Sequence, residues 1–252
     1  MNKTELLKFE GATGELLAAR LERPDGEPRA VGLFAHCFTC SKDLKPVVRI
    51  SQALCKQGIA VLRFDFTGLG ESEGDFADTN FSSNVEDLVA AADFLREKIQ
   101  APRILIGHSL GGLAVLAAAS MSPESAAVAT IGAPSDTSHL AELLGSEHPE
   151  IDEQGEAEVV LAGRRFKVRK QFLEDLNQKR LGGYIQELGR PLMIFHSPLD
   201  EVVSIDHARR IYQAARHPKS FVSLDKADHL LMNPDDSRFV AEMLAAWSKR
   251  YI

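Results

Sequence analysis

The chain has 252 residues, 44% of them hydrophobic and 26% charged, with a formal net charge of −7. That length and mix fit one soluble globular domain with a full core. The acidic balance argues against a nucleic-acid role, which needs a concentrated basic surface, and no stretch approaches the ~20 apolar residues of a membrane span.

The N-terminus, Met1-Asn2-Lys3-Thr4-Glu5, goes straight into polar sequence and lacks the apolar core of a secretory signal. Residues 5–9 and 15–21 read as two strands around the turn Gly11-Ala12-Thr13-Gly14. Residues 30–35 form a continuous apolar run, as expected for a strand buried on both faces. Residues 47–57 have helical spacing and stop at Gly58. A second buried strand covers 59–64 and runs into the glycine-rich loop Asp65-Phe66-Thr67-Gly68-Leu69-Gly70.

A helix follows over about 83–100, with Val85, Leu88, Val89, Ala92 and Leu95 on one face. Then come a strand at 103–106, a helix at 110–120 and a strand at 126–131. Further strands lie at 192–195 and 221–224, and a last helix covers 237–251. Strands alternating with helices imply right-handed crossovers and a mainly parallel sheet with helices on both faces.

The alternation breaks at about 135–189. The segment is charged, with a hairpin-like pattern at 158–168 around Ala162-Gly163. It is too long for an ordinary connection and reads as a small inserted lid on a single domain, 1–252. The basic run from Arg164 to Lys170 alternates with apolar residues and reads as a strand with one solvated face.

Gly107-His108-Ser109-Leu110-Gly111, with strand before and apolar helix after, has the context that gives G-x-S-x-G its meaning as a nucleophile elbow. Small residues on either side let strand and helix approach each other, and Gly112 adds clearance. Ser is a weak nucleophile at its own pKa and needs a base. His229 lies in a loop beyond the last strand, where the base of such a site belongs. His36, His108, His139, His148, His196, His207 and His217 fit that place less well and read as packing or surface residues. The acid belongs after the preceding strand, where Asp200 stands, with Glu201 and Asp228 as rivals. The oxyanion hole needs two backbone donors. They are expected from Leu110, which follows Ser109, and from Phe38, in the loop after the strand at 30–35.

These residues, with Asp65-Phe66-Thr67-Gly68-Leu69-Gly70-Glu71-Ser72, resemble the α/β-hydrolase superfamily over nearly the whole chain. The resemblance implies an α/β-hydrolase fold with Ser109, Asp200 and His229 as catalytic residues. Phe34-Ala35-His36-Cys37-Phe38-Thr39-Cys40-Ser41-Lys42-Asp43 and Phe81-Ser82-Ser83-Asn84 are similar to the hydrolase part of bacterial fusions with an OsmC-like domain. No such domain is expected in this chain, whose last helix closes the pattern. Many members of the superfamily have His-Gly where this chain has His36-Cys37, so the Cys37 side chain is expected to crowd or tune the oxyanion loop.

The three cysteines do not look like a disulfide framework, and a cytoplasmic, reduced protein is the simplest reading. Cys37 and Cys40 form a C-x-x-C, read first as two reduced loop thiols and second as a redox pair. No metal-ligand spacing, dinucleotide fingerprint or P-loop is present, so neither metal nor cofactor is expected. The expected activity is hydrolysis of small-molecule carboxylic esters with short or medium acyl groups through a Ser109 acyl-enzyme. The alternatives are a serine peptidase or amidase, a non-catalytic binding module, and a redox-linked module using Cys37 and Cys40.

Overall fold

A computed structural model describes residues 3–37, 40–161, 164–178 and 182–252. The chain runs β1 (Lys3–Glu10), β2 (Leu16–Arg23), β3 (Ala30–Ala35), α1 (Lys45–Lys56), β4 (Ile59–Phe64), α2 (Phe81–Lys98), β5 (Ile104–His108), α3 (Leu110–Ala118) and β6 (Ala127–Ile131). It continues through α4 (Ser138–Glu147), α5 (Glu150–Gln154), β7 (Glu156–Leu161), β8 (Arg164–Arg169), α6 (Lys170–Gln178) and α7 (Gly182–Gln186). It ends with β9 (Leu192–His196), α8 (Ile205–Ala214), β10 (Lys219–Ser223) and α9 (Pro234–Ser248).

Eight strands form one sheet in the order β1-β2-β4-β3-β5-β6-β9-β10. From β4 to β10 every pairing is parallel, whereas β2 pairs antiparallel with both β1 and β4. The central strands are apolar throughout because each residue, whichever side it faces, meets a helix. In β4, Ala60, Leu62 and Phe64 join the core that also holds Leu88 of α2, Leu113 of α3 and Ile211 of α8. Ile59 and Val61 join the core on the other face, with Ile50 of α1 and Leu244 of α9.

Arg63 interrupts that alternation. It is buried and pairs with Glu22 of β2, Nη2 to Oε1 at 2.6 Å, and with Asp43 at 2.9 Å. The pairing fastens the loop after β3 to the sheet.

Two helices begin earlier than their periodicity suggests. Asn80 caps α2, accepting from the Ser83 N–H while the Ser83 hydroxyl accepts from the Asn80 N–H. Asn233 caps α9 and Pro234 takes its first position, where a missing N–H costs nothing.

Between β6 and β9 stand α4, α5, a two-stranded hairpin of β7 and β8, α6 and α7. The hairpin turn at Ala162 and Gly163 lies outside the described residues. Phe166 and Val168 of β8 are buried while Arg164, Arg165 and Lys167 are exposed, the one-sided strand expected. Phe166 and Phe172 pack on Phe76, and Asp175 accepts from both the hydroxyl and the N–H of Ser82.

The cysteine reading requires correction. Cys37 and Cys40 form a disulfide, with Cα atoms 5.4 Å apart, leaving Cys55 as a buried free thiol. The turn brings the two together: the Cys40 N–H donates to the Cys37 carbonyl at 3.1 Å. Spacing in a C-x-x-C cannot separate two thiols from a bridge, because the same turn accommodates both.

Candidate active site

β5 ends at His108, and α3 begins at Leu110, so a single residue makes the corner. Ser109 does so at φ 53°, ψ −125°. A side chain there is strained, and only surrounding contacts hold it. The neighbouring glycines supply those contacts by letting backbones meet. A Cβ on Gly107 would lie 2.2 Å from the Gly111 carbonyl oxygen, and one on Gly111 would lie 2.4 Å from the carbonyl oxygens of Ala35 and His36. The second contact exceeds what the motif implies: Gly111 also seats the loop after β3 against the helix start.

Three loops converge on Ser109. The Ser109 hydroxyl and His229 Nε2 are 3.0 Å apart, and His229 Nδ1 and Asp200 Oδ2 are 2.8 Å apart. The Asp200 side chain is 2% exposed, and Oδ1 accepts from the N–H groups of Val202 and Val203. Burial raises its pKa, but the His229 hydrogen bond and the Val203 N–H outweigh that and hold it below the ordinary value. An ionised Asp200 accepts from His229 Nδ1–H, so Nε2 is left to accept the Ser109 proton.

The rival acids are placed elsewhere. Glu201 is exposed. Asp228 folds the loop that carries His229, accepting from the Leu230 and Met232 N–H groups. That loop is tight enough to hold Leu231 at φ 59°.

Leu110 opens α3, so its N–H is among the first four, which have no intrahelical acceptor. Phe38, the expected second donor, lies outside the described residues. His36 Nδ1–H donates to the Cys37 carbonyl at 2.7 Å. Beyond Cys40, the Lys42 N–H and Nζ donate to the two oxygens of Asp65 at 2.6 and 2.7 Å. Burial lowers the Lys42 pKa, but hydrogen bonds to Asp65 and Glu71 raise it further, so the ammonium keeps its charge inside the protein.

Sequence reasoning set aside two histidines that organise these loops. His108 Nε2 meets the His229 carbonyl oxygen at 2.7 Å. His196 Nε2 meets the Val203 carbonyl oxygen at 2.8 Å and stands 3.6 Å from Asp200 Oδ2. Burial lowers both pKa values, that of His108 to about 3. For His108 the signal was its place beside Ser109, and for His196 its place at the end of the strand before Asp200.

The model of the family described as serine aminopeptidase, S33, matches residues 26–177. The crystal structure of an esterase domain from a Rhodothermus marinus protein is 53% identical and superposes with a TM-score of 0.81, covering 99% of each chain. The mitochondrial palmitoyl-protein thioesterase ABHD10 of Rattus norvegicus is 26% identical over 81% of this chain and 70% of its own length. The Mus musculus protein of the same name is 27% identical over 73% of this chain and 64% of its own length.

Proposed function

Because the chain belongs to the serine aminopeptidase S33 family of α/β hydrolases, we propose that this hydrolase is a serine carboxylesterase with Ser109, His229 and Asp200 as its catalytic residues. The observation that carries the reading is the unbroken relay from the Ser109 hydroxyl through His229 to a buried, ionised Asp200. In this scheme His229 takes the Ser109 proton as the hydroxyl attacks the ester carbonyl. The Leu110 N–H and that of Phe38 receive the oxyanion. His229 then protonates the departing alcohol, and water repeats the sequence on the acyl-enzyme.

An ester is favoured over an amide by the esterase and thioesterase names of the relatives. The peptidase reading keeps the support of the family description. We read the segment between β6 and β9 as a small cover over the site, and the substrate as a small ester with a short or medium acyl group. No helix among the described residues is long and apolar enough to cross a membrane. The Cys37–Cys40 bond removes the cysteine argument for a reduced, cytoplasmic setting, and thiol counting on protein taken directly from cells tests that location.

The deciding experiment compares 4-nitrophenyl acetate with a matched anilide, alongside fluorophosphonate labelling. The expected result is labelling at Ser109, with ester turnover well above amide turnover. Ser109→Ala should abolish both labelling and turnover while the melting curve is unchanged. Full turnover in that variant excludes the assignment.

A further inference from the structure

Two cavities lie along one face of α3, on either side of a single side chain. The inner one borders Cys37, Phe66, Phe81, Asn84, Leu110 and Ala114. It lies beside the residue that follows Ser109 and has about 10 Å³ of free space, room for roughly one water. The outer one, of about 250 Å³, borders Phe81, Val85, Ala117, Met121 and Tyr184. Leu110, Ala114, Ala117 and Met121 are spaced to share one helical face, so both cavities follow the same groove between α2 and α3. Ala114 and Ala117 leave that groove open. Phe81 alone of these residues borders both cavities, and it is 1% exposed.

We infer that Phe81 is the specificity-determining residue that ends the acyl site of this enzyme. This rests on the reading of Ser109 as the nucleophile. The acyl group of a bound ester extends from Ser109 past Leu110 to the inner cavity, where its end takes the place of the one water that fits, and the Phe81 ring stops it there. Space for a longer chain exists on the far side but is partitioned off. Two residues that line the inner cavity carry polar atoms, His36 Nε2 and Asn84 Nδ2, that are buried without a hydrogen-bond partner among the described residues. Unpaired polar atoms disfavour an alkyl chain, and together with the small free space they favour a short acyl group. Phe81 is buried and opens α2, directly after the Asn80 cap.

The test measures kcat/KM for the 4-nitrophenyl esters of acetate, butyrate and octanoate. The unaltered enzyme should favour acetate or butyrate. Phe81→Ala joins the cavities and should raise the octanoate-to-acetate ratio by about tenfold or more, the scale of a few buried methylenes. Phe81→Leu should move the ratio in the same direction by less, and it serves if Phe81→Ala does not fold. Ala117→Phe added to Phe81→Ala refills the outer cavity and should return the ratio toward its original value. An unchanged ratio in folded Phe81 variants overturns the inference, as does a preference for octanoate in the unaltered enzyme. Hydrolysis of none of the esters by the unaltered enzyme sinks the esterase reading and this inference together.

Discussion

His108 Nε2 donates to the backbone carbonyl oxygen of His229 across 2.7 Å, so the residue before the nucleophile holds the main chain of the base. The rings stand 5.1 Å apart, and both side chains are nearly excluded from water. His108→Leu removes the donor and leaves a buried carbonyl unpaired. We expect kcat to fall roughly tenfold, the effect of one lost buried hydrogen bond, with KM little moved. His108→Gln, which can donate from nearly the same place, should recover part of the loss. Steady-state kinetics on the two variants checks this, and equal activity in both removes the positioning role.

The same residue predicts how stability depends on pH. Burial, then the neighbouring His229, lowers the His108 pKa from its ordinary 6.5 to about 3. Between those values the folded chain binds fewer protons than the unfolded chain, so stability rises with pH. On acidification it is lost progressively below 6.5, by about 2 kcal/mol at pH 5. His36 and His196, lowered chiefly by burial, act with the same sign. Urea midpoints at pH 7, 6 and 5 should fall in that order, with a flatter course in His108→Gln. A midpoint independent of pH contradicts the burial of neutral imidazoles.

Asp200→Asn keeps an acceptor for the Val202 and Val203 N–H groups but can turn an amide N–H toward His229. The imidazole then protonates at Nε2 and cannot accept from Ser109. Turnover should drop roughly 10³–10⁴-fold with little change in melting temperature. Near-normal turnover would return Asp228 or Glu201 to consideration.

The Cys37–Cys40 bond ties together the residues on either side of Phe38 and Thr39. Loop entropy for so short a bridge is worth about 2 kcal/mol. Replacing both cysteines by serine should cost up to that much stability. If the Phe38 N–H serves the oxyanion, kcat should fall as well, while Ser109 still reacts with a fluorophosphonate. An unaffected kcat would separate the bond from the oxyanion loop.

Lys42→Met tests the fastening of that loop from the other side. It strips the ammonium from Asp65, which is fully buried, and leaves only backbone donors there. Removing one partner of a buried pair costs about 3–5 kcal/mol. Thermal unfolding should show a drop of that order, and an unchanged midpoint would mean that Asp65 is reached by water.

Much of the architecture was legible because it rests on local rules. Strands buried on both faces are apolar without alternation, as in residues 30–35 and 59–64. Helices repeat at their own period, and glycine marks positions where backbones touch. Those rules also give the elbow, since a Cβ on Gly107 would strike the Gly111 carbonyl four residues on, whereas the atoms that block a Cβ on Gly111 belong to Ala35 and His36 in a distant loop. Chain order then directs attention to Asp200 and His229.

What remained needed distances between residues far apart in sequence. Arg63 reads as a blemish in an apolar strand until Glu22, 41 residues away, is found against it. The antiparallel placement of β2 on β4 is likewise a pairing between separate strands, which no pattern within either one gives. Asp200 and Asp228 are equally acidic on paper, and only the folded loops show one carboxylate facing His229 and the other occupied by backbone N–H groups. Sequence alone determined the fold class and the elbow, because sterics and periodicity act within a few residues. Tertiary structure decided which acid faces the base, that Cys37 and Cys40 are bridged, and that Phe81 stands between two cavities. Hydrogen bonds, disulfides and packing depend on separations in space, and the chain acquires those only when the sheet assembles.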